Sequence, residues 1–186
     1  MVYIFLATGF EEMEALITAD MMRRAGIDVK LCGVTGEYIT GARGITVKSD
    51  VSIDDVNGTA DMMVLPGGLP GVDNLWACDK VRELITEQYN AGKYVAAICA
   101  APSIFGKLGM LEGKRAICYP GFEDKLTGAK VEVDAVVSTD GNVITSKAAG
   151  TTFDFAHKLT ELLVGIQTAD KIRDSVYYKS GEKHLD

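Results

Sequence analysis

The sequence predicts an α/β fold in which a mostly parallel central sheet is covered by helices on both faces. Short apolar or β-branched runs alternate with longer helical patterns, as in parallel strands joined by crossover helices. The short runs are almost continuously hydrophobic, which is typical of strands buried on both sides. The 186 residues, 47% hydrophobic and 24% charged, are enough for one core and too few for two. We therefore expect one domain over residues 1–186.

Seven segments have the composition of strands. In chain order they are residues 2–7, 29–34, 62–65, 94–98, 116–119, 130–137 and 142–146. Asp140 and Gly141 predict the hairpin turn between the last two.

Helices are predicted between and after these strands. The first covers residues 11–25 and ends at Gly26, and a second covers residues 80–89 with Asp79 as its N-cap. Pro102 begins a third helix. A fourth covers residues 152–164, between Thr151 and Gly165, and residues 166–178 form the last.

The net charge of −7 argues against a nucleic-acid surface, which requires clustered Lys and Arg. Small molecules or proteins are the expected partners. The opening MVYIFLATGFEE has no basic leader, and no apolar run approaches the roughly 20 residues of a membrane span. We expect a soluble, cytoplasmic protein.

The cysteines predict neither a disulfide framework nor a zinc site. Cys32, Cys78, Cys99 and Cys118 are widely spaced, without a C-x-x-C pair, and the sequence has only two histidines. Neither a dinucleotide-binding G-x-G-x-x-G nor a phosphate loop is present, so no metal and no cofactor are expected.

Ligands of open parallel sheets bind beyond the carboxyl ends of the strands. Four segments should meet there: residues 8–10, 66–68, 99–101 and 119–121. The functional site is therefore predicted to lie among these segments.

Cys99 follows an apolar run and precedes the helix that Pro102 begins, within YVAAICAAPSIFG. A nucleophile in such a tight strand-to-helix turn, or nucleophile elbow, needs small residues two positions away on either side, and Ala97 and Ala101 are small. The free amides of the first helical turn favour thiolate over thiol. Because free cysteine is among the most buried residue types, a chemically silent Cys99 stays open from local sequence alone.

Glu14 is predicted to face the interior. At roughly 100° per residue it projects on the side of Ile17 and Met21, whereas Glu12 points to nearly the opposite side. A buried carboxylate takes up a proton or finds a strong partner. A protonated Glu14 can donate a hydrogen bond to a Cys99 thiolate and move protons to and from a substrate. The alternative is that Glu14 lies at the rim of the apolar stripe and reaches solvent.

Each of the remaining candidate site residues also has an interpretation without a functional role. Gly67 and Gly68 allow backbone amides to approach a ligand or an oxyanion, or they form a simple turn. Arg24 and Arg43 are candidates for anion contacts, or surface residues. Cys118 ends a predicted strand near Cys99, where it is either a resolving thiol or an inert one.

Five motifs together resemble the DJ-1 branch of the ThiJ/PfpI superfamily. They are GFEEMEA, DMMRRAGI, VLPGG, AAICAAP and TSKAAGTTFDFA, and the likeness covers nearly the whole chain. The resemblance implies a flavodoxin-like α/β sandwich that forms a homodimer. It also implies that Cys99 is the reactive cysteine, Glu14 its partner and Gly68 an amide donor.

The sequence departs from its relatives at two positions. PfpI-like proteases have a histidine directly after the nucleophile, where this chain has Ala100, so a Cys-His protease is excluded. Some members of the DJ-1 branch have a histidine before the proline at the next strand end, where this chain has Tyr119. Proton transfer then rests on Glu14, with Tyr119 as a hydrogen-bond donor at most.

The resemblance implies an enzyme of the glyoxalase III or deglycase type, which acts on dicarbonyls such as methylglyoxal or on their early glycation adducts. Cys99 would form a hemithioacetal, and the amides of Gly68 and Ala100 would hold the oxyanion. Gly67, Tyr119, Arg43 and Arg24 are candidates for the substrate pocket. The alternative is a sensor of oxidative stress or a redox-regulated chaperone that works through oxidation of Cys99.

Overall fold

The structure, a computed structural model, describes residues 1–179. It contains eleven strands within this range. They are β1 (Val2–Leu6), β2 (Val29–Gly33), β3 (Tyr38–Thr40), β4 (Thr46–Lys48), β5 (Val51–Ser52), β6 (Met62–Leu65), β7 (Tyr94–Ile98), β8 (Arg115–Ala116), β9 (Lys130–Val131), β10 (Val137–Asp140) and β11 (Val143–Ser146).

Six α-helices accompany these strands in the described range. They are α1 (Glu12–Arg24), α2 (Gly71–Ala77), α3 (Asp79–Asn90), α4 (Pro102–Lys107), α5 (Thr152–Val164) and α6 (Ile166–Ser175). None of the helices in residues 1–179 is long and apolar enough to cross a membrane.

Seven strands form the central sheet in the order β10-β11-β7-β6-β1-β2-β5. All neighbours pair in parallel except β10 and β11, which form an antiparallel hairpin. The carboxyl ends of β1, β6, β7 and β11 therefore lie at one edge of the sheet. The predicted α/β architecture is confirmed.

The sheet is buried on both faces because its inner strands alternate their side chains between two apolar layers. Phe5 and Leu65 face one layer, which α2, α3 and α4 cover. Ile4 and Leu6 face the other, where α1 and α5 supply the cover. This burial on both faces explains why the strands are almost continuously hydrophobic.

Gln88 is a buried polar residue that joins α3 to two strand ends. Its Oε1 accepts a hydrogen bond from the Ala60 amide at 2.9 Å, and its Nε2 donates to the carbonyls of Ala60 and Tyr94. The side chain is fully buried, so it satisfies backbone groups that water does not reach.

Several predicted boundaries are wrong for identifiable reasons. The strand at 116–119 shortens to β8, because the Tyr119 amide instead donates to the Cys99 carbonyl. The strand at 130–137 splits: Lys130–Val131 pairs with β8, and Val137–Asp140 forms the hairpin with β11, whose turn at Asp140-Gly141 is confirmed.

The predicted N-caps of two helices also differ from the structure. Asp79 is not the N-cap of α3 but its first residue, where it pairs with Arg82. Thr151 does precede α5 as predicted, but its hydroxyl bonds to Ser146 and Ala148 rather than capping the helix.

Candidate active site

The carboxyl ends of the central strands surround an open cavity of about 560 Å³. Three of the four predicted segments contribute to its lining, whereas residues 8–10 do not. The lining also includes the start of α1, which holds the predicted Glu14, and the loop after β3, which holds the predicted Arg43. The turn after β11 was not predicted. The lining residues are Glu11, Met13, Glu14, Ala42, Arg43, Gly68, Leu69, Cys99, Ala100, Tyr119, Phe122, Ala148, Ala149 and Gly150.

Cys99 occupies a strained turn between β7 and α4. Its φ of 65° lies in the left-handed region, which non-glycine residues rarely adopt. Three backbone hydrogen bonds fix this turn: the Cys99 amide donates to Ser146, the Cys99 carbonyl accepts from Tyr119, and Ala101 donates to Ile98. The thiol therefore projects into the cavity from a rigid backbone.

Small neighbours make this turn possible, as the sequence predicts. Ala97 and Ala101 are both fully buried, and larger side chains have no room there. Pro102 is the first residue of α4, as expected. The Cys99 residue as a whole is half-buried, so the thiol is not sealed beneath the core.

Glu14 reaches the same cavity from the first turn of α1. It is 1% exposed, and its Oε2 accepts a hydrogen bond from the Gly67 amide at 2.7 Å. Its Oε1 forms no hydrogen bond of standard geometry within residues 1–179, and the Cys99 side chain is close enough to interact with the carboxyl. The alternative of a solvated Glu14 at the rim is wrong.

Gly67 is the residue that lets the acid and the thiol approach each other. A Cβ at this position would lie 2.6 Å from the Cys99 Cβ and 2.7 Å from Glu14 Oε2, both far closer than real contacts. Any side chain here would push the two groups apart. Gly67 is buried and does not line the cavity; Gly68, with a φ of 92°, does.

The pKa values of Glu14 and Cys99 are both raised, and each group affects the titration of the other. Burial raises the pKa of Glu14 from 4.5 to about 7, against a lowering by the Gly67 hydrogen bond. Burial and the ionised Glu14 together raise the pKa of Cys99 to about 12. The pair therefore loses its first proton near pH 7 and its second near pH 12, and carries one negative charge between these values.

The expectation that helix amides alone make Cys99 acidic is wrong. The amides of Ala100 and Gly68 do interact with the sulfur and lower the pKa of Cys99, but burial and Glu14 raise it by more. When Glu14 carries the shared proton, its repulsion of the thiolate disappears and the two amides remain. The raised pKa of Cys99 nevertheless keeps most of the shared proton on the sulfur near neutral pH, with the negative charge on Glu14.

Arg43 and Tyr119 lie at the cavity, whereas Arg24 does not. Tyr119 is 46% exposed and its ring packs edge-on against Phe122. Arg43 is exposed and belongs to the loop between β3 and β4. Arg24 lies at the end of α1, where it pairs with Asp20 at 2.6 Å.

Glu12 is a second buried carboxyl group on α1. Helical geometry predicts that it points nearly opposite to Glu14, yet it is only 4% exposed. The β3–β4 loop covers it, and Glu12 Oε1 accepts hydrogen bonds from the amides of Arg43 and Ile45. Helical geometry gave the direction correctly but could not show that a loop passes there.

The other three cysteines and His157 lie outside the cavity. Cys118 is buried beside a separate small cavity, and burial raises its pKa to about 11. Burial likewise raises the pKa of Cys32 to about 12. His157 contacts Asp170 between α5 and α6, and His184 lies outside the described residues.

Comparison with known proteins gives a consistent result. The sequence model of the DJ-1/PfpI family matches residues 1–162. Protein DJ-1 homolog B of Arabidopsis thaliana is 37% identical over 174 residues, which cover 92% of this chain and 40% of that protein. The chain thus spans less than half the length of this relative.

Two similar proteins have names that state an activity. The glutathione-independent glyoxalase DJR-1.2 of Caenorhabditis elegans is 37% identical over 165 residues, 87% of each protein. A deglycase of Pyrococcus abyssi is 33% identical over 164 residues, 87% of this chain and 98% of that protein.

The crystal structure of Drosophila melanogaster DJ-1beta superposes with a TM-score of 0.90 at 35% identity, covering 96% of this chain and 97% of that one. The predicted flavodoxin-like sandwich is confirmed by this likeness.

Proposed function

The chain belongs to the DJ-1/PfpI family, and from this premise we propose that it is a cofactor-independent enzyme whose Cys99 acts on reactive dicarbonyls or their early glycation adducts. The observation that carries the proposal is the contact between the Cys99 thiol and a buried Glu14 carboxyl in an open cavity. The names of the glyoxalase and deglycase relatives support the class of reaction.

The proposed reaction on methylglyoxal begins when the Glu14 carboxylate takes the proton from the Cys99 thiol. The Cys99 thiolate attacks the aldehyde carbon, a C–S bond forms, and the oxygen takes the proton from Glu14 to give a hemithioacetal. Amides of Gly68 and Ala100 lie beside the sulfur and would stabilise negative charge on the attacked oxygen.

Glu14 then acts as the base. Its carboxylate removes the proton from the hemithioacetal carbon and returns it to the neighbouring carbon through an enediol, which leaves a thioester. Water cleaves the thioester, releasing lactate and the thiol; glyoxal would give glycolate. A pKa near 7 suits a group that must alternately give and take a proton at neutral pH.

Lactate formation from methylglyoxal by purified protein tests this proposal. Cys99→Ala should abolish it, whereas Cys78→Ala, which changes a half-buried thiol outside the cavity, should leave it intact. Lactate formation that is unchanged in Cys99→Ala would refute the mechanism.

A second candidate function is sensing of oxidative stress through Cys99. The same two amides that interact with the sulfur would donate hydrogen bonds to the oxygens of a sulfinate, and a protonated Glu14 would add a third. Peroxide supplies both oxygens and is reduced to water. Mass spectrometry after mild peroxide treatment should show two oxygens gained on Cys99; activity towards dicarbonyls would still decide between the two functions.

We further propose that the protein is a cytoplasmic homodimer. All four cysteines are free thiols, which suits a reducing compartment. Met13, Tyr38 and Ile45 expose about half or more of their surface on α1 and the β3–β4 hairpin, where a second copy could cover them. Sedimentation velocity of the purified protein tests the dimer.

A further inference from the structure

Glu12 is a buried carboxylate that the proposed chemistry does not use. It lies two residues before Glu14 on the same helical turn and is 4% exposed. Its Oε1 accepts hydrogen bonds from the amides of Arg43 at 2.7 Å and Ile45 at 3.3 Å. A buried carboxyl group of this kind needs hydrogen-bond partners, because removing it from water is costly.

The loop that crosses Glu12 provides these partners. Backbone hydrogen bonds tie this loop to the start of α1: Gly9 donates to Thr40, and Ala42 donates to Phe10. At Gly41 the loop passes so close that a Cβ would lie 2.4 Å from the Glu12 Cδ. Glu12 Oε1 is the acceptor for two further amides of the same loop, those of Arg43 and Ile45.

Arg43 is the residue that this arrangement brings to the cavity. It is the single cation among the cavity's described lining residues, and it forms no ion pair within residues 1–179. The carboxyl groups that face the same cavity are Glu11 and Glu14, and Glu14 is protonated in part near neutral pH. An arginine without a carboxylate partner beside a reactive thiol is available for an anionic ligand.

We propose that Glu12 is a positioning residue that fastens the β3–β4 loop to α1, so that Arg43 lines the Cys99 cavity and selects substrates carrying a negative charge. The favoured class is a dicarbonyl with a carboxylate a few bonds from the reacting aldehyde, in preference to neutral methylglyoxal. Because Glu12 and Glu14 share one helical turn, the spacing between the anion contact and the proton-transfer group is fixed by α1. This inference deepens the proposed function, but its first test is independent of turnover.

The first test compares alkylation of Cys99 by iodoacetate, an anion, and by iodoacetamide, its neutral counterpart. Site-resolved mass spectrometry gives the two rates at Cys99 and hence their ratio. We expect Arg43→Met to lower the iodoacetate-to-iodoacetamide ratio by about fivefold, the effect of one partly solvated ion pair. Arg82→Met, which removes an arginine on α3 outside the cavity, should leave the ratio unchanged.

Variants of the loop contact separate positioning from charge. Glu12→Ala removes the acceptor and should reproduce the ratio of Arg43→Met, whereas Glu12→Gln keeps a side-chain oxygen and should restore most of the wild-type ratio. Should Glu12→Ala fail to fold, Gly41→Ala provides the same displacement, because its methyl group collides with the Glu12 carboxyl. An unchanged ratio in Arg43→Met overturns the inference, as does a normal ratio in both Glu12→Ala and Gly41→Ala.

The second test uses turnover of 4,5-dioxopentanoate and its neutral methyl ester. Wild type should have the higher kcat/KM for the acid, and Arg43→Met should lose this preference through KM while kcat for the ester is retained. Equal kcat/KM values for acid and ester in wild type would overturn the substrate preference and leave the proposed function standing. If neither compound reacts while the alkylation ratio behaves as expected, the proposed function fails and the anion contact stands.

Discussion

Replacing Glu14 by glutamine should change how the stability of the protein depends on pH. Folding raises the pKa of Glu14 from 4.5 to about 7, so the folded state binds more protons than the unfolded chain between these values. Stability from this group is therefore greatest below pH 4.5 and is lost as the pH rises to 7. Linkage gives a loss of about 2.5 kcal/mol between pH 5 and pH 8, which Glu14→Gln cannot show.

Urea unfolding at pH 5 and pH 8 measures this effect. The difference in unfolding free energy between Glu14→Gln and wild type should shift by about 2.5 kcal/mol in favour of the variant over this interval. Any constant effect of the amide on packing cancels, because only the change with pH is compared. Glu87→Gln, an exposed change on α3, is the control and should follow wild type. Parallel pH dependences for Glu14→Gln and wild type would refute a buried, proton-binding Glu14.

Three further outcomes follow from the geometry. Alkylation of Cys99 by iodoacetamide should rise through an apparent pKa near 7 in wild type, whereas Glu14→Gln should lack this step; identical profiles would show that the two groups are not coupled. Gly67→Ala should lower dicarbonyl turnover by roughly a hundredfold, because a displacement of about 1 Å at reacting groups has this effect, while Gly92→Ala, whose methyl group meets open space, should alter stability alone. Gln88→Leu removes hydrogen bonds to three backbone groups, two of them buried, and should lower the unfolding free energy by about 3 kcal/mol in urea titrations; a loss below about 1 kcal/mol would contradict its assigned role.

The main elements of the fold could be predicted because their local patterns and their burial agree. Met62–Leu65 and Tyr94–Ile98 have the predicted bounds, since both are inner strands whose every residue except Tyr94 is buried. The three-residue strands of the β3–β4 hairpin escaped prediction because their exposure alternates and they pair outside the central sheet. The helix α2 was missed as well, since it begins with Gly71 directly after Pro70.

The site was predictable where a local rule applies and not where two distant segments meet. Small residues around Cys99 indicate the tight turn, and helical periodicity places Glu14 inside. The effect of Glu14 on the thiol could not be predicted, because it depends on a distance across the sheet. The turn at Ala148–Gly150 directly follows the strand predicted at residues 142–146, so the carboxyl end of that strand is a sequence signal for its place at the cavity.

The left-handed backbone at Cys99 has a consequence for the stability of the protein. A residue with a Cβ in this conformation costs about 1–2 kcal/mol relative to glycine, so the simplest stabilising change at this position is also the one that deletes the sulfur. Urea unfolding of Cys99→Gly should therefore give a higher free energy of unfolding than that of wild type.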